Sequence, residues 1–373
     1  MKKRIKVLTI FGTRPEAIKM APLVNGLKKE EDIDSYVCVT AQHREMLDQV
    51  LQLFNIQPDF DLDIMKENQT LTQITSRVLV GLDEVISKVS PDIILVHGDT
   101  TTTFAGSLAA FYHNVKVGHV EAGLRTYNKF SPFPEEMNRT LTGHIADFHF
   151  APTERNKQNL IKEGIAEEKI FLTGNTVIDA LMETSKKDYE FSGTPLDGID
   201  FINNRIIMVT CHRRENLGEY MNNIFLALKD IVLRYKDVEI VFPVHLNPKV
   251  QKHADELLKG IGRIHLIKPL EYLPIVKLMS KSYLIITDSG GLQEEAPSLG
   301  KPVLVVRKET ERPEAIEAGT VKLAGVERDN IVRMASELLD DKDKYDAMAQ
   351  AVNPYGDGKT SQRIIEIIKA QVC

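Results

Sequence analysis

Leu284-Ile285-Ile286-Thr287-Asp288-Ser289-Gly290-Gly291-Leu292-Gln293-Glu294-Glu295 is the stretch that decides how this chain folds. The apolar run 284–287 predicts a short buried strand, Asp288 to Gly291 is turn chemistry, and the residues from Leu292 to Leu299 have helical character. A strand, a glycine-bearing turn and a helix in that order form one step of a parallel α/β sheet.

The same step recurs in both directions from this stretch. Runs of strand character at 206–210, 238–242, 264–267 and 303–306 surround it, and an earlier series lies at 5–10, 36–40, 93–97, 115–120 and 148–151, alternating with helical stretches such as 15–29, 71–89 and 101–112. The periodicity lapses between Lys186 and Asn204, which predicts a linker. The expected organisation is therefore α/β, with two Rossmann-like doubly wound parallel-sheet domains facing a cleft. The first covers 1–185 and carries acid-base carboxylates, the linker covers 186–204, and the second domain covers 205–358. A C-terminal helix at 359–373 is free to dock back on the first domain. In open parallel sheets ligands sit beyond the carboxyl ends of the strands, so motifs at those ends carry the function.

The length of 373 residues suits two domains that each bury a full core. A net charge of -6 argues against a nucleic-acid partner, so any anionic ligand must be held by local basic groups. The three cysteines, Cys38, Cys211 and Cys373, are widely spaced and fit a reducing cytoplasm rather than a disulfide framework. No apolar run approaches 18 residues, and the segment after Met1-Lys2-Lys3-Arg4 is too short for a secretory signal. Cytoplasmic localisation without a membrane partner is the expectation.

Six segments carry chemistry. At the start of the helix after Thr287, backbone N–H groups of Ser289, Gly290 and Gly291 suit phosphate oxygens, and Glu295, one turn in, suits ribose hydroxyls. The bland alternative is an ordinary turn with Asp288 or Ser289 as the helix N-cap. Gly12-Thr13-Arg14-Pro15-Glu16 is the matching first turn of the other half, where Arg14 and Lys19 bring positive charge toward a diphosphate; a plain turn with Pro15 opening the helix competes with this. Asp99 and Glu121 end two strands, and Glu135 lies in the Pro-bounded segment 131–136, a set of acids suited to proton transfer on a sugar ring. Asp99 as a simple N-cap is the alternative. His212 and Arg213 end the first strand of the second half and suit acid-base work and anion contact, while Cys211 beside them fits a small buried neighbour. No metal-ligand spacing such as HExxH occurs, so no metal is expected. Gly356-Asp357-Gly358-Lys359-Thr360 imitates the tail of a P-loop but lacks its first glycine and preceding strand, and no GxGxxG dinucleotide fingerprint is present.

Taken in order and spacing, segments 12–16, 97–103, 119–126, 132–136, 210–216 and 288–295 resemble the bacterial non-hydrolysing UDP-N-acetylglucosamine 2-epimerases over essentially the whole chain. The resemblance implies a glycosyltransferase-B-like fold with UDP-sugar in the interdomain cleft. It implies Ser289, Gly290 and Gly291 at phosphate, Glu295 at ribose, Arg14 at the nucleotide, and Asp99, Glu121, Glu135 and His212 in catalysis. UDP-N-acetylglucosamine and UDP are the implied ligands, no cofactor is implied, and a homodimer is the family's usual assembly. Some members bind a second UDP-N-acetylglucosamine as activator through a Gln-His-Arg-Gln segment. This chain offers Gln42, His43 and Glu136 as candidates there, but Gln42-His43-Arg44-Glu45 replaces the last amide with a carboxylate.

The chemistry of the implied reaction fits the residues. The C2 hydrogen of the sugar is not next to a carbonyl, so it requires activation. Oxidation by NAD is disfavoured by the missing fingerprint, whereas expulsion of UDP from C1 acidifies that hydrogen and gives 2-acetamidoglucal, to which UDP adds back. Arg14, Lys19, Arg213 and the Gly290 turn suit the departing diphosphate. A hydrolysing epimerase, a glycosyltransferase of the same fold and a non-catalytic UDP-sugar sensor are the competing readings.

Overall fold

Two parallel sheets organise the chain in a computed structural model that describes residues 4–41, 44–66 and 68–372. The first sheet contains β1 (Ile5–Phe11), β2 (Ile33–Val39), β3 (Phe60–Asp61), β4 (Ile93–His97), β5 (Lys116–Val120), β6 (Phe148–Ala151) and β7 (Ile170–Leu172), in the order β3-β2-β1-β4-β5-β6-β7. The second contains β8 (Arg205–Thr210), β9 (Val238–Pro243), β10 (Ile264–Ile267), β11 (Leu284–Thr287), β12 (Val303–Val305) and β13 (Val321–Leu323), in the order β10-β9-β8-β11-β12-β13. Every strand pairing is parallel, with Leu8 opposite Ile94 in the first sheet and Val209 opposite Ile286 in the second.

Central strands are apolar throughout because helices cover both faces. Leu8, Ile10, Ile94 and Val96 pack with Val78 and Leu82 of the helix Leu71–Val89, all fully buried. In the second sheet Ile207, Val209, Ile240 and Ile286 pack with Ile224, Phe225 and Leu228 of the helix Glu219–Arg234. The α/β expectation is met. The strands that the sequence did not announce are β3, β7 and β13, of two or three residues each and all at sheet edges, where the run is too short to carry a periodic signal.

In each sheet the winding reverses between two adjacent strands, β1 and β4 in the first and β8 and β11 in the second. Their carboxyl ends hold Gly12–Thr13 and Gly98–Thr100 in one case, and Cys211–Arg213 and Asp288–Gly291 in the other. Gly12 is required at the first of these, since a Cβ there would lie 2.0 Å from Thr40 Oγ1 and 2.8 Å from Thr102 Oγ1.

The chain divides into two units, one running to Ala180 and resumed from Tyr355, the other spanning Leu181–Pro354. Against an expected boundary at 185 and 358, the division thus falls slightly earlier in both places. Residues 186–204 form neither helix nor strand and belong to the second unit, with Leu196 fully buried and Phe191 stacked on Phe201 at 4.8 Å. The return at Tyr355 belongs to the first unit because the Asn175 N–H donates to the Tyr355 carbonyl at 2.6 Å. The C-terminal helix Thr360–Gln371 also belongs there. Asp179 accepts the N–H groups of Thr360 and Ser361, and Gly26 on the helix Arg14–Leu27 leaves room for Ile365, whose Cδ1 lies 2.6 Å from where a Cβ would stand.

Candidate active site

In the first unit a buried carboxylate ties the two ends of the switch point together. Glu16, 2% exposed, accepts the N–H groups of Gly12 (3.1 Å) and Thr13 (2.8 Å) and the Thr13 hydroxyl (2.8 Å) on Oε2. Its Oε1 accepts the hydroxyl of Thr100 at 2.7 Å, and Thr103 Oγ1 stands 3.3 Å away. Burial raises the Glu16 carboxyl above its ordinary value against the pull of these hydrogen bonds. The turn carrying Arg14 is thereby fixed to the turn carrying Asp99. Thr100, not Asp99, caps the following helix, since its Oγ1 accepts the Thr103 N–H. This leaves the Asp99 side chain available for another role.

Asp99 sits beside a buried arginine. Arg139 Nη1 lies 3.2 Å from Asp99 Oδ2, and Asn138 Nδ2 donates to the Asp99 carbonyl at 2.9 Å. Both come from the helix Glu135–Ile145, which begins with the third expected acid, Glu135. Burial pushes the Asp99 carboxyl up; Arg139 and Lys19 oppose it, and the charges of Glu121 and Glu135 reinforce it. Asp99 therefore holds its proton more tightly than an ordinary aspartate. Glu135 Oε2 is buried and has no hydrogen-bond partner among the described residues.

Glu121 follows β5 in a left-handed conformation at φ 63°, one that a residue with a side chain adopts only at a cost. Its Oε2 accepts from Lys19 Nζ and from Asn175 Nδ2 (2.8 Å), and His97 Nε2 lies 3.8 Å away. Lys19, expected near a diphosphate, is thus engaged with a carboxylate of its own unit. Burial holds His97 at about 4 and His119 at about 3, so both imidazoles are neutral near pH 7. His119 Nε2 hydrogen-bonds the Gly98 carbonyl at 2.7 Å and steadies the turn before Asp99.

Glu136, a candidate for the activator site, is buried and structurally committed. It accepts the N–H groups of Thr126 and Tyr127 and pairs with Arg139. Burial works against its charge, but the Arg139 hydrogen bond and these N–H groups outweigh it and hold the carboxyl below its ordinary value. Gln42 and His43 lie outside the described residues.

The second unit repeats the device at its own switch point. Asp288, fully buried, accepts the N–H groups of His212 (2.7 Å) and Arg213 (2.8 Å) and Nδ2 of Asn216 (3.1 Å) on Oδ2. His212 Nδ1 stands 3.2 Å from Oδ1, and the imidazole stacks on His245 at 5.4 Å. Burial lowers the His212 pKa, Asp288 pulls it back up, and Arg213 and His245 push it down. Cys211 is buried and its thiol is pushed up by burial and by Asp288, which makes it a packing residue.

Ser289 precedes the helix Gly290–Glu295 without capping it through its side chain. The guanidinium of Arg213 and that of Arg312 each approach within 3.9 Å of the position a Cβ on Gly290 would take. Two cations thus converge where backbone N–H groups emerge and where Gly290 and Gly291 present no side chain, an arrangement suited to a diphosphate. Arg312 is oriented by Glu294, and Glu295 Oε1 accepts the Tyr272 hydroxyl at 2.9 Å.

The structure therefore groups Asp99, Glu121, Glu135 and Lys19 in the first unit, with Arg14 on the neighbouring turn, and His212, Arg213, Ser289, Gly290, Gly291 and Glu295 in the second. Sequence reasoning missed Arg139, Asn175 and Arg312 and the bridging roles of Glu16 and Asp288. Only Arg139 left a local signal, a cation three residues after Glu136 on one helix.

Residues 25–369 match the family described as UDP-N-acetylglucosamine 2-epimerase. The chain belongs to this family. It is 61% identical over 364 residues to the UDP-N-acetylglucosamine 2-epimerase of Bacillus subtilis, covering 98% of this chain and 95% of that protein. It is 55% identical to the enzyme of the same name from Escherichia coli K12, with 98% of both covered. The crystal structure of the UDP-GlcNAc 2-epimerase from Neisseria meningitidis bound to UDP-GlcNAc superimposes with a TM-score of 0.88 at 53% identity, covering 98% of this chain and all of that one.

Proposed function

We propose that the chain interconverts UDP-N-acetylglucosamine and UDP-N-acetylmannosamine by elimination and re-addition of UDP. In the forward direction a carboxylate of the first unit takes the C2 proton while the C1–O bond breaks, and UDP leaves with the bonding pair. The product is 2-acetamidoglucal. A carboxyl then returns a proton to the opposite face of C2, and the UDP oxygen re-forms its bond to C1. Nothing is oxidised overall, so the residues need no redox partner.

The observation that carries this reading is the pairing of unlike carboxyls at one sheet edge. Burial and two neighbouring acids raise the Asp99 carboxyl above its ordinary value, against the pull of Arg139 and Lys19, whereas Glu121 receives donors from Lys19 and Asn175 on a single oxygen. Acid and base of the same chemical type are separated by environment in this way. Departing UDP is assigned to Arg213, Arg312 and the N–H groups of Gly290 and Gly291, its ribose to Glu295, and His212 assists the proton transfers.

The assembly proposed is a homodimer, and Val80, Phe111, Tyr112 and Leu141, exposed apolar side chains on three helices of the first unit that pack on one another, are the candidates for its contact. Sedimentation equilibrium of the wild type tests it. A cytoplasmic setting fits the buried thiols of Cys38 and Cys211, and no helix among the described residues is long and apolar enough to cross a membrane.

Proton NMR of UDP-N-acetylglucosamine incubated with the protein tests the reaction. UDP-N-acetylmannosamine is the expected product. Free N-acetylmannosamine with released UDP marks the hydrolysing reaction instead, and an unchanged spectrum refutes both.

A further inference from the structure

Glu121 carries a large part of the proposed chemistry, and a residue outside the expected set holds its carboxylate. Asn175 is 3% exposed and precedes the helix Thr176–Ser185. Its Oδ1 accepts the N–H of Val177 at 3.0 Å. An amide whose oxygen is committed to a donor has only its NH2 to offer on the other side, and Nδ2 lies 2.8 Å from Glu121 Oε2. The backbone of Asn175 is fixed as well, through its N–H to the Tyr355 carbonyl.

The same oxygen receives Lys19 Nζ. A lysine on a four-carbon stem supplies charge but little orientation, whereas a short amide held at both ends supplies orientation. Two donors on Oε2 turn the other oxygen toward the Gly98–Asp99 turn, where Oε1 lies 3.7 Å from the position of a Cβ on Gly98.

We propose that Asn175 is the positioning residue of Glu121, fixing the carboxylate so that Oε1 is the oxygen that exchanges the C2 proton. This rests on the epimerase reading above. Among the described residues, the titratable groups facing Glu121 include Lys19 from the helix Arg14–Leu27, His97 from β4, Asp99 from the turn after it, and His119 from β5 itself.

Asn175 has two tasks, capping a helix and donating to Glu121, and one substitution separates them. In Asn175→Asp the side chain keeps its size and still accepts the Val177 N–H, but it loses the donor and sets a second anion against Glu121. The melting temperature should hold within a few degrees. The kcat should fall by roughly 10- to 100-fold, the worth of a hydrogen bond to a charged group, with KM changed by less than about threefold because the loss falls on proton transfer. The acidic limb of the kcat profile should move to higher pH. Asn175→Ala, which loses cap and donor without adding charge, should melt lower and lose kcat with a smaller displacement of the limb, since only the donor to the carboxylate is gone.

A folded Asn175→Asp with wild-type kcat and pH profile overturns the proposal and leaves Asn175 as a cap only. If Asn175→Asp does not fold, Asn175→Ala decides, measured below its melting temperature: unchanged kcat overturns the proposal, and a roughly tenfold loss at retained KM supports it. Wild-type protein that fails to epimerise refutes the reaction itself, an outcome distinct from either.

Discussion

Asp288 meets His212 twice, accepting its backbone N–H at 2.7 Å through Oδ2 and standing 3.2 Å from its Nδ1 through Oδ1. One buried carboxylate therefore sets both the path of the chain after β8 and the electrostatics of the imidazole that ends it. Asp288→Asn presents an NH2 to donors that need an acceptor, so kcat should fall by about 10- to 100-fold. The negative charge of Asp288 raises the His212 pKa, so a proton-NMR titration of the variant should place His212 lower than in the wild type. An unchanged His212 titration would show that the pair is not electrostatically linked.

The corresponding strap in the first unit, Glu16, binds the Arg14 turn to the Asp99 turn. Glu16→Gln keeps the size but turns an amide nitrogen toward Thr or N–H donors. A stability loss of about 1–3 kcal/mol is expected from one unsatisfied buried donor, together with a drop in kcat. Urea unfolding beside steady-state rates checks both, and wild-type values in each would remove Glu16 from the account.

Arg139 serves Asp99 and Glu136 at once and is 3% exposed. Arg139→Met leaves two carboxyls without their cation, and breaking a buried pair on one side costs about 3–5 kcal/mol. The loss should shrink as pH falls and the carboxyls protonate, which denaturant midpoints at two pH values would reveal.

Three buried imidazoles make the first unit acid-sensitive. Burial lowers His97 to about 4 and His119 and His149 to about 3, from an ordinary value near 6.5. Below pH 6.5 the unfolded chain binds protons that the folded chain refuses, so stability is full above that pH and is lost as pH falls toward 3. His149 has no hydrogen-bond partner among the described residues on either ring nitrogen. His149→Leu should therefore shift the acid-unfolding midpoint to lower pH at little cost near neutrality. A midpoint that stays in place would assign acid unfolding to other groups.

Two glycines separate fold from ligand. A Cβ on Gly12 would collide with Thr40 Oγ1 at 2.0 Å, so Gly12→Ala should destabilise by about 1–3 kcal/mol. A Cβ on Gly290 would meet only the guanidiniums of Arg213 and Arg312 at 3.9 Å. Gly290→Ala should keep the melting temperature and weaken UDP binding at least about tenfold, since a methyl group would stand where the phosphate is proposed to approach. Calorimetric titration with UDP is the check, and unaltered affinity would place the diphosphate elsewhere.

The arrangement of strands was legible because buried parallel strands are continuous apolar runs, as 93–97 and 284–287 are. β3, β7 and β13 were not, being edge strands too short for periodicity. The acids and the Gly290 turn stood out because polar residues at the ends of apolar strands are conspicuous. Arg139 left only its three-residue spacing from Glu136, and Asn175 and Arg312 left no local signal. Each reaches its partner, Asp99, Glu121 or the Gly290 helix start, from a distant part of the chain, and only tertiary structure brings them together.

The proposed reaction requires UDP to be held after the C1–O bond has broken, the task assigned above to Arg213, Arg312 and the Gly290 helix start. It is tested by placing a heavy-oxygen label in the bridge between C1 and the β-phosphate of UDP-N-acetylglucosamine and following the label by phosphorus NMR during epimerisation. The account predicts that label moves from the bridge to the non-bridging oxygens as C2 epimerises. Label that stays wholly in the bridge while C2 inverts would contradict it.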